Sequence, residues 1–186
     1  MASLTADQVR LIANQVVSNM RFDKSGSQNN PSVIYEDSSR PNASVGVFSS
    51  INSAVKAAQK AQVQLMELSL AQRERIILNI RSWMMDNAEI LARKAYEETG
   101  LGRFQDKIIK NKLVTEKTPG TEVLRPEAVS GDRGLTLMER APYGVIGSIT
   151  PCTNPTSTII CNTIGMLAAG NSVVFKVHPT AKNVSI

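Results

Sequence analysis

Two short runs decide the fold: Val145-Ile146-Gly147-Ser148-Ile149, which leads into Thr150-Pro151-Cys152-Thr153-Asn154-Pro155, and Ser172-Val173-Val174-Phe175-Lys176. Both are apolar and rich in β-branched residues, the composition of strands. Between them, Ile159, Ile160, Ile164, Met166 and Leu167 recur at helical spacing over 158–169, and Gly170-Asn171 closes the segment. Strand, helix and strand in this order form a β-α-β unit. Its strands run parallel through a right-handed crossover, and ligands sit outside their carboxyl ends. The exits at Thr150-Pro151 and at 176–179 are therefore expected on one rim. Two parallel strands cannot cover their own faces and edges, so the sheet is expected to be unfinished and the chain to be a portion of a longer protein.

Moving toward the N-terminus, Ala128-Val129-Ser130, the turn Gly131-Asp132-Arg133-Gly134 and Leu135-Thr136-Leu137-Met138-Glu139 predict a β-hairpin within about 123–140, with both glycines supplying positive φ. Ahead of Pro119-Gly120 the pattern is helical. Ala54, Val55, Ala57, Ala58, Ala61, Val63 and Leu65 predict a helix over 53–66. Ser69-Leu70-Ala71-Gln72 is a capping box that opens a second helix, where a serine hydroxyl and a glutamine amide each satisfy one backbone N–H. A third is expected from 87 through 96, stopping at Gly100 or Gly102, and a fourth over 104–113. The front half is thus read as an antiparallel helical layer.

Residues 21–45, with Ser-Gly-Ser, Asn-Asn-Pro and Arg-Pro-Asn, have the composition of a flexible linker. Before it, Thr5-Ala6-Asp7-Gln8 caps a stripe of Val9, Ile12, Ala13, Val16, Val17 and Met20. Residues 1–20 therefore predict a tethered amphipathic helix, free to dock on the domain's own surface or on another protein.

Composition narrows the classes. With 42% hydrophobic and 20% charged residues the chain has the balance of a globular protein. Its formal charge of +5 comes from basic residues interleaved with acids, which describes a mixed-charge surface or anionic ligands such as dinucleotides. Nucleic acid is disfavoured, because aromatics are only 4% of the chain and no stacking pattern appears. Cys152, Cys161 and one histidine, His178, supply neither a disulfide framework nor a metal-ligand cluster. No run is long enough to span a membrane and no secretory signal opens the chain, so a cytoplasmic protein is expected.

Six motifs then stand in one order: Glu98-Thr99-Gly100-Leu101-Gly102-Arg103 with Asp106-Lys107 and Lys110-Asn111; Thr118-Pro119-Gly120; Gly131-Asp132-Arg133-Gly134-Leu135-Thr136-Leu137; Ala141-Pro142-Tyr143-Gly144-Val145-Ile146-Gly147; Thr150-Pro151-Cys152-Thr153-Asn154-Pro155; and Ala168-Ala169-Gly170-Asn171 leading to His178-Pro179. In this order they resemble the aldehyde dehydrogenase superfamily, in its CoA-acylating acetaldehyde and propionaldehyde branch associated with bacterial microcompartments. The resemblance covers about 46–186. It implies an α/β fold, namely the first part of a Rossmann-type cofactor domain with a helical N-terminal layer and an oligomerisation hairpin.

The resemblance further implies NAD-linked oxidation of a short-chain aldehyde to its acyl-CoA, through a thiohemiacetal and a thioester on an enzyme cysteine, with NAD and coenzyme A as cofactors. Asn154 matches the asparagine whose side-chain amide holds the developing oxyanion. Ile149, Thr150 and Pro151 match the strand end that lines the nucleotide cleft, and Lys176 matches a position that contacts the adenosine ribose. The acylating branch commonly has a small or polar residue there, so Lys176 and Val177 depart from its pattern. His178 and Pro179 agree with the branch's His-Pro and are read as shaping the pocket. Where Cys152 stands the family usually has serine, and its reactive cysteine lies further along than this chain reaches. The hairpin is similar to the arm that adds strands to a neighbouring subunit, which implies a homo-oligomer. The helix of residues 1–20 is similar to the encapsulation peptides that bind microcompartment shell proteins. A second reading makes the chain a truncated, non-catalytic product that binds shell or partner subunits.

Overall fold

The computed structural model describes residues 46–186. The expected targeting helix at 1–20 and the linker at 21–45 lie outside the described residues.

Four helices come first, and their starts follow local cap chemistry. Helix α1 spans Ile51–Met66, and the Ser50 hydroxyl accepts from the Ser53 backbone N–H at 3.2 Å. The cap therefore lies three residues before the expected start. Helix α2, Leu70–Asp86, opens on the expected capping box: the Gln72 N–H donates to Ser69 Oγ at 3.3 Å and the Ser69 N–H to Gln72 Oε1 at 2.9 Å. Helix α3, Ala88–Thr99, ends at Gly100, whose φ of 66° is the left-handed cap that glycine adopts without strain.

Helix α4, Phe104–Lys117, continues four residues past the expected end at 113. The Arg81 guanidinium of α2 is the reason. It donates to the carbonyls of Thr115, Glu116 and Thr118, which α4's last turn leaves without intrahelical partners. The Thr115 and Thr118 hydroxyls add bonds back to the Asn111 and Val114 carbonyls. A donor more than thirty positions away in the sequence is invisible to any local pattern.

A short 3-10 turn at Thr121–Leu124 leads to the hairpin, β1 at Glu127–Gly131 and β2 at Gly134–Met138. It is antiparallel with Gly131 opposite Gly134, as expected, but it begins at 127 and only Gly134 takes positive φ, +141°. Every residue of both strands is exposed.

Strand β3, Val145–Ile149, then helix α5, Pro155–Ala168, then strand β4, Ser172–Lys176, complete the β-α-β unit. The strands pair in parallel from Val145 opposite Ser172 to Ile149 opposite Lys176. Helix α5 starts three residues earlier than read from its apolar spacing, because Pro155 takes the first helical position, where its missing N–H has no partner to lose. Register at the amino end is set by Asn171, whose buried Oδ1 accepts from the N–H groups of Tyr143 at 2.6 Å and Gly144 at 2.9 Å. Strand β4 is less buried than its composition implied, since residues 173–175 are half-exposed on a two-stranded sheet.

Helix α5 packs against α2, α3, α4 and β4, and α1 lies along the sheet. The main core joins Ile77 with Ile160, Ile164 and Ala168, flanked by Ile80, Met84 and Val114. A smaller cluster of Ala95, Ala181 and Val184 fixes α3 against the segment after β4. Gly170, at φ +79°, closes α5 where an added Cβ would lie 2.9 Å from Met66 Sδ and 3.0 Å from Arg73 Nη1. Gly170→Ala therefore introduces left-handed strain and displaces two flexible side-chain tips. With the Met66 and Arg73 side-chain tips able to move aside, it is expected to destabilise by roughly the 1–2 kcal/mol of left-handed strain, read as a lowered denaturation midpoint with an unchanged denaturant slope.

Candidate functional site

The site is built around the carboxyl ends of the two parallel strands. Ile149 pairs with Lys176, and the Thr150 N–H donates to the Lys176 carbonyl at 3.1 Å. Thr150-Pro151 and Val177-His178-Pro179 therefore leave the sheet side by side on one rim. Ile149 is 85% exposed, and Pro151, Lys176 and Pro179 are exposed as well. Thr150 is the opposite case: it is 2% exposed, and its Oγ1 is buried with no hydrogen-bond partner among the described residues.

His178 sits on the second exit. Its Nδ1 accepts from the Thr180 backbone N–H at 3.2 Å and lies 2.9 Å from the Thr180 hydroxyl, capping the short turn Pro179–Ala181. With Nδ1 used as an acceptor, the ring proton of the neutral form belongs on Nε2. This exit is tied down by Glu98, at the end of α3, which accepts from the N–H groups of Asn183 at 2.8 Å and Val184 at 2.7 Å.

The first exit is held by one face of α4. Lys107 donates from Nζ to the Thr153 carbonyl at 3.0 Å, Lys110 donates from Nζ to Asn154 Oδ1 at 2.7 Å, and Asn111 Oδ1 accepts from the Thr156 hydroxyl at 2.8 Å. The spacing of Lys107, Lys110 and Asn111 is i, i+3, i+4, which brings all three onto one helical face. Asn111 is 1% exposed and also donates from Nδ2 to the Ala88 carbonyl at 3.2 Å, so α4 joins the starts of α3 and α5 through one amide. Lys107 is 7% exposed. Burial lowers its pKa from the usual lysine value and the nearby Lys110 charge adds to this, while Cys152 acts in the opposite sense.

Asn154 itself is half-buried, with its amide beside the surface lysine and not in the core. It occupies the N-cap position of α5 yet makes no side-chain capping bond. Among the described residues its Nδ2 meets only the Thr153 hydroxyl, at 3.5 Å, the outer limit of a hydrogen bond. Cys152 and Cys161 are free thiols, both half-buried. Among the described residues no group of histidine, cysteine or acidic side chains gathers as a metal site, and no helix is long and apolar enough to cross a membrane.

The structure thus brings Asn154, Ile149, Thr150, Pro151, Lys176, His178 and Pro179 to one rim. Their anchors, Glu98, Lys107, Lys110, Asn111 and Asn171, all stand in the sequence motifs, but the motifs assign them no partners. The spacing of the three on α4 was a usable signal, but nothing local names their partners.

The profile of the Aldehyde dehydrogenase family matches residues 42–186. The chain belongs to that family. An acetaldehyde dehydrogenase (acetylating) of Bilophila wadsworthia is 54% identical over 140 residues, 75% of this chain and 28% of that enzyme. A propionaldehyde dehydrogenase from the fucose-utilisation bacterial microcompartment of Clostridium phytofermentans superposes with a TM-score of 0.72 at 58% identity, covering 75% of this chain and 32% of that one. A propionaldehyde dehydrogenase of Rhodopseudomonas palustris, solved with bound CoA and an acylated cysteine, gives 0.72 at 55% identity over 75% of this chain and 32% of that one. The chain therefore spans just under a third of the length of these relatives. The α/β fold of the aldehyde dehydrogenase type expected from the motifs is present, as far as these residues extend.

Because Asn111 satisfies two buried groups at once, Asn111→Leu leaves the Thr156 hydroxyl and the Ala88 carbonyl short of a partner. The expected loss is about 2–3 kcal/mol of unfolding free energy, measured by denaturant titration. Wild-type stability in that variant would remove the bridging role.

Proposed function

We propose that this chain supplies the front part of the cofactor domain of a CoA-acylating aldehyde dehydrogenase, converting a short-chain aldehyde, CoA and NAD to an acyl-CoA and NADH. The observation that carries the reading is the shared rim, with the Asn154 amide at the start of α5 beside the paired exits of β3 and β4. Its chemistry suits an oxyanion donor. When a cysteine thiolate adds to an aldehyde, the carbonyl oxygen gains full negative charge, and a fixed N–H stabilises it without reorganising. Asn154 Nδ2 is such a donor, with its oxygen end already held by Lys110.

The rim residues also fit a dinucleotide. Ile149 offers a bare apolar ledge, Thr150 a backbone fixed by its bond to the Lys176 carbonyl, and Lys176 an exposed cation toward ribose or phosphate. Pro151 and Pro179 keep the two exits stiff, and His178 shapes the second exit through its bond to Thr180. A nicotinamide bound there supplies the hydride acceptor. Loss of a hydride to it and of the hydroxyl proton would convert the thiohemiacetal to a thioester, and CoA would then take the acyl group, its thiol proton passing to the released cysteine. The nucleophile in this scheme is a cysteine outside the present sequence. Cys152 is half-buried ahead of α5 and is given no part in it.

Two partner assignments accompany the reading. The hairpin exposes Val129, Leu135 and Leu137 on an open two-stranded ribbon, which supports strand addition to a second copy of the enzyme. Residues 1–20 are assigned to a shell protein inside a bacterial microcompartment, supported by their amphipathic stripe and by the microcompartment origin of the Clostridium phytofermentans relative.

In the full-length enzyme that carries this segment, Asn154→Ala is expected to cost about 3 kcal/mol of transition-state stabilisation, seen in kcat. Wild-type turnover would refute the assignment. Deleting residues 1–20 is expected to leave aldehyde oxidation intact but to disperse the enzyme from its compartment. Unchanged co-sedimentation with shells would end the targeting claim.

A further inference from the structure

Asparagine is among the strongest N-cap residues because its Oδ1 reaches the free N–H groups of a helix's first turn. Asn154 stands at that position of α5 and does not use it. Its Oδ1 is instead taken by Lys110 Nζ at 2.7 Å, from a different helix. An ammonium only donates, so the oxygen end of the amide must face it, and the orientation of the amide is fixed chemically. The flanking groups are held from the same helical face, the Thr153 carbonyl by Lys107 at 3.0 Å and the Thr156 hydroxyl by Asn111 at 2.8 Å. Among the described residues the Nδ2 end then carries only the 3.5 Å contact to Thr153, so an N–H donor is left for a ligand.

We infer that Lys110 is a positioning residue: it pulls the Asn154 amide off the helix N-terminus and turns its N–H toward the substrate oxygen. This rests on the reading of Asn154 as the oxyanion donor. A cation on Oδ1 also draws electron density out of the amide and makes the opposing N–H a stronger donor. Lys110 is exposed, so its replacement leaves the core untouched. Without it the amide is free to turn and withdraw the donor, while α5, which takes no cap bond from Asn154, loses none.

The role therefore has a signature that simple structural support lacks, namely a loss of turnover without a loss of stability. In the full-length enzyme, Lys110→Met is expected to lower kcat roughly ten- to hundredfold, the scale of a displaced catalytic group, with KM for NAD changed by less than about twofold. Its melting temperature should hold, and Lys110→Arg should recover most of the turnover. Combined with Asn154→Ala, the Lys110→Met change should add little, since both act through one amide. Wild-type kcat in Lys110→Met beside a disabled Asn154→Ala would overturn the role of Lys110 and leave that of Asn154 standing. So would losses that multiply in the double variant, or a kcat loss that follows a fall in melting temperature. If Asn154→Ala itself turns over normally, the underlying reading fails first, and the inference with it.

Discussion

The arrangement depends on the buried amide of Asn111. It is 1% exposed, its Nδ2 donates to the Ala88 carbonyl at the start of α3, and its Oδ1 accepts from Thr156 in the first turn of α5. A buried amide left unpaired is costly, whereas one paired at both ends restricts geometry to the arrangement that pairs it. Rotating α4 or sliding it along its axis would break both bonds together. The lysines that share its face, Lys107 and Lys110, are thereby delivered to the turn before α5. Their reach depends on the amide because long side chains are flexible and need a fixed base.

The sheet supplies the other half of the constraint. Parallel pairing places the carboxyl ends of β3 and β4 together, and Asn171 fixes their register from the opposite end by holding the N–H groups of Tyr143 and Gly144. Within α5, Asn162 donates from Nδ2 to Ser148 Oγ at 2.9 Å, so helix and strand are tied by a polar bond as well as by packing. The two exits are therefore positioned from three directions: strand pairing, the α4 face, and the Glu98 carboxylate that grips the segment after Pro179. A binding rim gains from such over-determination, since loops on a rigid frame keep their geometry when a ligand arrives.

Features written in neighbouring residues were legible in the sequence. The Ser69–Gln72 box, the Gly100 stop, the hairpin turn and the strand-helix-strand order all depend on contacts within a few positions, and the structure repeats them. The end of α4 lies beyond its local pattern because Arg81, a partner from another helix, satisfies its last carbonyls. The start of α5 was set three residues late because apolar spacing reports only the buried face, while Pro155 and the cap lie outside it. Asn154 was identified through the resemblance, but the reason its amide is available could not be read locally, since Lys110 lies 44 positions away.

Local rules are broken mainly where the rim is. Ile149 is bare at 85% exposure, Thr150 buries a hydroxyl without a partner, and the N-cap asparagine of α5 makes no cap. Each departure disfavours the folded chain slightly, and a cluster of them at one edge marks the place where function competes with stability. The Thr150 hydroxyl is closed off from solvent although Ile149 and Pro151 on either side are exposed, so it lies at the exit without itself facing the opening. Ser172 shows the limit of this logic. Its hydroxyl is equally buried and unpaired, yet it lies at the amino end of β4, away from the exits, and nothing in the structure explains it. An orphaned polar atom therefore points to a site only when its neighbours converge on the same opening, as they do around Thr150 and Asn154 but not around Ser172.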